Sequence, residues 1–371
     1  MARCRVDQSI QRVEMSGFAF PLGVYPVEEM QPKQGYTSAF EPADGDDGGG
    51  EWEEWPDRYV YDILVPATRL EALCRALLAM LPGRIYPILD FLGQDEWREV
   101  DPYVSYDLLG QDRFLDGLRR FAGYFYEDGL VGFGAMSEEP FLYVFVDEHK
   151  VVTVRAESNL KDKVEGVLAA FDLEQLEEIL SADQVTHEHR AVLETPDDRP
   201  DLLTEEEIVE VLRDEWRLVL NIDPETNVDE EGNDLGMTGW RCIVRYEPAD
   251  PKAAAANGEE GEAKPDGESA GKSEAEPKAA EAKVEPPPVR YAQIFLTADS
   301  LSRATELTLE GLVQLLVKDG VAVPEDDEGF EPVIVQSDRW GEKDFVREVE
   351  AATGQIPEIT DSSVKHASWL N

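Results

Sequence analysis

The run Asn227-Val-Asp229-Glu-Glu231-Gly232-Asn-Asp234 places oxygen-bearing side chains at the first, third and fifth positions of a loop, with glycine at the sixth. A calcium loop begins this way, because a hard cation needs several carboxylate and amide oxygens gathered around a sharp turn. Asn227, Asp229, Glu231 and Asp234 are therefore the candidate metal ligands, and calcium is the one cofactor the sequence suggests. Two features weigh against it. The twelfth position is Thr238, where a bidentate glutamate is needed, and the flanks read as strands instead of helices. Asn, Asp and Gly also serve as turn formers, so a polar hairpin tip explains the same residues.

His187-Glu188-His189 is the only close pair of histidines. Two residues apart on a strand, both rings would face one side and could share a metal ion. Glu188 would face the other way, and no third ligand stands out nearby, so a solvated connector is the default reading. His149 is expected at a hairpin tip and His366 near the C-terminus, both on the surface. Gly129-Leu-Val-Gly132-Phe-Gly134 has the glycines of a phosphate-binding loop, but they fall between two strands, where no helix N-terminus follows to receive a phosphate. A glycine-rich bend accounts for them.

Leu92-Gly-Gln-Asp95-Glu-Trp97 and Leu109-Gly-Gln-Asp112-Arg-Phe114 form a short echo. Glycine for a turn and aspartate for a helix N-cap explain it; a paired recognition loop is the sharper alternative. On that alternative Asp95, Trp97, Asp112 and Phe114 become candidate interaction residues, joined by Trp52 and Trp55 in an acidic linker. No GxSxG, HExxH or phosphate-loop signature occurs, and Cys4, Cys74 and Cys242 form no CxxC pair. No catalytic residue can be assigned.

The elements that must carry these residues follow from periodicity. Residues 1–40, broken by Pro21 and Pro26, read as an extended lead-in, and 41–56 as an acidic, glycine-rich linker. The first domain spans 57–182. Tyr59, Tyr61, Ile63 and Val65 alternate as on a strand, and Leu70, Leu73, Cys74, Leu77, Leu78 and Leu81 form one helical stripe ending at Pro82-Gly83. A second strand covers 84–92, a helix 112–121 and a further strand 124–133. Strands 141–146 and 151–155 are joined by Asp147-Glu-His149-Lys150, and helices follow over 159–171 and 173–180. Residues 183–203 are a polar connector. The second domain, 204–371, opens with Thr204-Glu-Glu-Glu207, the residues of a capping box, and continues as a strand over 216–222. Strands 240–246 and 290–297 are expected to pair across a long disordered insert, 247–289, because lengthening such a loop costs little. Helices over 302–318 and 341–353 flank a short strand at 333–336. Hairpins beside β-α-β units give an α+β class: two mixed or antiparallel sheets with helices packed on one face. The second domain's order of elements resembles a double-stranded-RNA module in topology alone.

Charge narrows the function classes. The 371 residues carry 80 acidic against 34 basic side chains, a net charge of −46. The 247–289 insert holds only eleven of those acids, so most of the excess belongs to folded surface. Such a surface disfavours nucleic acid and anionic membrane as partners. No apolar run reaches the length of a membrane span, no secretory leader is evident, and the sparse cysteines suit a reducing cytoplasm. The expected role is a non-catalytic interaction module, of the immunity or inhibitor kind, that docks a basic partner protein. A carboxylate- or divalent-metal-dependent enzyme such as a hydrolase, centred on Asp229, Glu231 and Asp234, is one alternative. A structural protein of a salt-adapted cytosol is the other.

Overall fold

A computed structural model describes residues 3–43, 55–93, 95–97, 100–194, 199, 201–229, 231–247, 289–321 and 332–370. Trp52 and nearly all of the 247–289 insert lie outside them. The chain is α+β and forms two compact units, Met1–Asp223 and Pro224–Asn371. Among the described residues no helix is long and apolar enough to cross a membrane.

Unit 1 contains strands β1 (Glu14–Met15), β2 (Phe18–Ala19), β3 (Val24–Pro26), β4 (Gly35–Glu41) and β5 (Arg58–Leu64), then helix α1 (Ala67–Leu78). After these come β6 (Arg84–Phe91), β7 (Asp101–Val104), β8 (Leu109–Gly110), α2 (Gln111–Arg120) and α3 (Ala122–Glu127). The unit continues through β9 (Val131–Ser137), β10 (Leu142–Val146), β11 (Val152–Glu157), α4 (Lys161–Ala170), β12 (His187–His189), α5 (Glu205–Trp216) and β13 (Val219–Leu220). A nine-stranded sheet runs β13-β7-β6-β9-β10-β11-β5-β4, with β8 attached to β6, and every pairing in it is antiparallel.

Strict alternation sorts the sheet into two faces. Tyr61, Ile63, Ile85, Leu89, Val144 and Val154 point to one side, where they join one apolar core with residues from α1 to α5. Leu70, Leu73, Cys74, Leu77 and Leu78 of α1 are all buried there, as their spacing requires. Cys74 behaves as a small apolar residue, its thiol pushed above the ordinary range by burial. The capping box forms: Glu207 donates its N–H to the Thr204 hydroxyl at 3.2 Å, and the Glu207 carboxylate accepts from the Thr204 N–H at 2.9 Å. The helix it starts was expected to open the second domain. Instead Trp216 packs into the unit 1 core, with its ring centroid 4.7 Å from that of Phe114, and β13 adds to β7 at the sheet edge.

Several local expectations change. Tyr124, Phe125 and Tyr126 lie on α3, and the strand starts later, at Val131. Residues 173–180 form no helix. The lead-in contributes β1 to β4 and a small apolar cluster of Phe18, Phe20, Val24, Leu64, Val151 and Ala182. The 183–203 connector includes β12, paired antiparallel with β3.

Unit 2 is a four-stranded antiparallel sheet in the order β16-β14-β15-β17 (β14 Thr238–Tyr246, β15 Arg290–Ala298, β16 Val333–Trp340, β17 Ser363–Trp369). β14 and β15 pair along their full length from either side of the insert, as expected. Helix α6 (Leu301–Lys318) brings Gly311 against Ile294, and α7 (Glu342–Thr353) sets Phe345 against Phe295.

Candidate metal centre

Two separate pieces of chain bring three imidazoles together. The first is the β10–β11 hairpin, whose strands pair up to Val146 and Val152. The Asp147 carboxylate accepts the Val151 N–H at 2.8 Å, and the Asp147 carbonyl accepts the Lys150 N–H at 3.1 Å, closing the turn with Lys150 at φ +65°. The Lys150 side chain is buried and donates to the Val131 carbonyl of β9. Burial lowers its pKa to about 8, opposed by the nearby carboxylates of Asp128 and Asp147. An inward lysine thus ties the turn to the sheet, and His149, the residue before it, is held by that anchor.

The second piece is β12. Its pairing with β3 sets His187 opposite Pro26 and His189 opposite Val24. The strand period puts both rings on one side and Glu188 on the other. There Glu188 pairs with Arg190 at 2.9 Å, and the Arg190 guanidinium lies 3.6 Å from the centroid of the Tyr25 ring. β12 is fixed against the main sheet by a close backbone crossing. Gly23 donates to the Glu127 carbonyl at 2.7 Å, Arg190 to the Gly23 carbonyl at 2.9 Å, and Gly129 to the Arg190 carbonyl at 3.2 Å. A Cβ on Gly129 would come within 2.1 Å of the Gly23 oxygen, so the crossing needs glycine at that place. This is the physical use of the first glycine in the 129–134 run. Buried Asp128 completes the junction by accepting the N–H groups of Leu130 and Val192, each at 2.8 Å.

The result is a cluster with His149 Nε2 3.1 Å from His187 Nε2, and His187 Nε2 3.2 Å from His189 Nε2. The three ring pairs have centroid separations of 4.7 to 5.0 Å and meet edge-on. The far side of two rings is occupied. His187 Nδ1 lies 2.8 Å from the Val185 carbonyl, which only accepts, so Nδ1 carries the proton and Nε2 presents its lone pair. His149 Nδ1 faces the Glu148 carboxylate at 3.3 Å and the Asp147 carboxylate at 3.9 Å, which favours the same tautomer. Burial and the adjacent rings disfavour protonation: the His149 pKa is lowered, and His189 is pushed down to about 4, by burial first and by His149 next.

Three imidazoles, with the Nε2 lone pairs of His149 and His187 turned toward the cluster, make a nitrogen donor set. Two nitrogens on a tetrahedral zinc ion, each bonded at roughly 2.05 Å, stand about 3.3 Å apart, close to the two separations here. The carboxylates of Glu148 and Asp183 favour the charged form of His149, against the burial that outweighs them.

The residues singled out in the sequence fare differently. His187 and His189 share one side, and the third imidazole of the cluster is His149, from the hairpin tip; His366 lies on β17 in unit 2. In the 227–234 turn the oxygens serve the fold. Asn227 is buried, donates to the Gly236 carbonyl at 2.6 Å and to Thr238 Oγ1 at 3.0 Å, and accepts from Arg339 at 3.1 Å. Asp229 accepts from the N–H groups of Glu231 and Asn233 at 3.0 and 2.8 Å, and Asp234 from that of Gly236 at 2.9 Å. Among the described residues, ligand atoms close enough to share an ion occur at His149, His187 and His189 and at Asp147, Glu148 and His149.

The echo motif also separates. Asp95 accepts the Trp97 N–H at 3.0 Å in the loop after β6, whereas Asp112 lies inside the first turn of α2 and does not cap it. Phe114 is fully buried in the core. Trp55 lies against Phe141 and Tyr143, at centroid distances of 5.2 and 6.2 Å. No family model, curated protein or solved structure matches this chain.

Proposed function

We propose that unit 1 binds one divalent transition-metal ion of the zinc or copper class through the Nε2 atoms of His149, His187 and His189. The observation that carries this reading is the convergence of the three Nε2 atoms, two of the separations being 3.1 and 3.2 Å. Imidazole suits these borderline ions, whereas calcium and magnesium take oxygen. A three-nitrogen set also leaves a coordination position for water or a substrate atom, as catalytic zinc sites do and closed structural sites do not. Metal-assisted hydrolysis is therefore the reaction class the site supports. This moves the divalent ion of the enzyme reading from the 227–234 turn in unit 2 to the histidines of unit 1.

Cobalt(II) substitution tests the proposal. The protein with one equivalent of cobalt should develop the intense visible bands of a four-coordinate ion, and His187→Ala should abolish them. Weak octahedral bands in both proteins, or identical spectra, would refute it.

A further inference from the structure

The face of the nine-stranded sheet turned away from the helices holds a second feature, separate from the histidines. Tyr86 and Asp90 of β6 and Tyr143 of β10 point to this side, and together with Trp55, Tyr106 and Glu138 they line an open trough of about 670 Å³. That volume suits a large side chain or a small ligand. The trough has two chemical characters: its walls are aromatic, and among the described residues its charged lining residues, Asp90 and Glu138, are both acids.

Asp90 is the decisive residue. It sits opposite Gly132 of β9, over which the apolar Phe145 ring lies, so that position brings it no polar side chain. Burial raises its pKa to about 7, with a contribution from Glu148, and no described residue gives it a hydrogen bond or an ion pair. Placing a carboxylate in such a site without a partner costs stability. Tyr143 feels the same charge: after burial, Asp90 is the next cause of its raised pKa. The chain's own cations show what these rings accept. The guanidiniums of Arg58 and Arg155 each lie 5.1 Å from the centroid of Trp55, and Arg155 is 5.7 Å from that of Tyr143. Neither arginine lines the trough, so among the described residues Asp90 has no cation facing it.

We propose that the trough receives an arginine or lysine side chain of a basic partner protein, its cation paired with Asp90 and its stem lying along Tyr86 and Tyr143. An aromatic wall attracts a cation through its ring quadrupole, and an apolar stem buries well against it. The net charge of −46 steers such a partner inward, and the trough gives the docking a specific address. This inference does not depend on the metal centre.

The test is calorimetric titration of the full-length protein with acetylated tetra-arginine amide at about 0.15 M salt, where long-range attraction is largely screened. Asp90→Asn should weaken binding about tenfold or more, and Glu138→Gln, at an exposed position, about threefold. Asp162→Asn, an equal charge change at an exposed site on α4, should leave affinity within about twofold of the parent. Asp90→Asn should melt no lower than the parent, because it removes a half-buried charge that desolvation disfavours. Failure of the parent to bind, or equal losses from Asp90→Asn and Asp162→Asn, overturns the proposal.

Discussion

His149 and His187 lie 38 residues apart in the chain, yet their Nε2 atoms approach to 3.1 Å. A hairpin turn and a three-residue strand, each anchored independently, meet at this point. His149 is oriented from behind by Glu148, 3.3 Å from its Nδ1. A carboxylate in that position fixes the tautomer and raises ligand basicity. Glu148→Gln should therefore lower zinc affinity about 10–100-fold while leaving all three nitrogens in place. Competition against a chromophoric chelator measures this; unchanged affinity would mean that Glu148 does not orient the ring.

The crossing of Gly23, Gly129 and Arg190 positions β12 without supplying a ligand. Gly129→Ala would force a Cβ onto the Gly23 carbonyl. The expected cost is about 1–3 kcal/mol of stability, together with a loss of zinc affinity, because His189 is displaced. Denaturant unfolding and zinc titration of the same variant check both halves. A variant that loses stability but binds zinc like the parent would show that β12 keeps its place without the crossing.

Much of this arrangement was legible beforehand. Hydrophobic period revealed α1, the β10–β11 hairpin and the pairing of β14 with β15 across the insert. The strand period also placed His187 and His189 on one side. The approach of His149 to these two rings is not visible in the sequence, because β12 pairs with β3, more than 150 residues earlier, and neither strand is long enough to show an alternation of its own. The Pro21 and Pro26 breaks give the lead-in an extended, partly ordered reading, and β3 and the Phe18–Phe20 cluster fix the strand that carries His187 and His189. Tyr124-Phe125-Tyr126 was read as strand because a short apolar run has no distinguishing period. Which core Trp216 joins is not legible in the sequence, because the apolar face of a helix does not name its partner; the contact with Phe114 does.

Glu205, in the first turn of α5, gives a pH dependence unrelated to metal. Burial, then Asp128 and Glu206, raise its pKa from 4.5 to about 7. The folded state therefore holds a proton that the unfolded chain releases between those values, so stability falls as pH rises from about 4.5 to about 7 and then levels. Asp90 and Asp147, also raised to about 7, contribute in the same window, so Glu205→Gln should reduce this slope and add about 1 kcal/mol at pH 8, the figure being reduced for partial solvent screening. Urea unfolding at pH 5 and pH 8 compares the two proteins. An undiminished slope in the variant would assign it to other groups.

The 227–234 turn offers a contrast. Asp229 accepts two backbone N–H groups and the Asn233 side-chain amide. Asp229→Ala should lower the melting temperature slightly through the loss of these bonds. Calcium should shift the melting temperature of neither the parent nor the variant. A calcium-dependent rise in the parent that Asp229→Ala abolishes would restore the turn as an ion site.

Zinc stoichiometry tests the three-histidine centre most directly. Metal-stripped protein, its His149→Ala variant and its His366→Ala variant are loaded with zinc, dialysed and assayed for metal by mass spectrometry. The expected result is one equivalent of zinc in the parent and in His366→Ala, and far less than one in His149→Ala. No retained zinc in the parent, or equal retention by His149→Ala, would contradict the assignment.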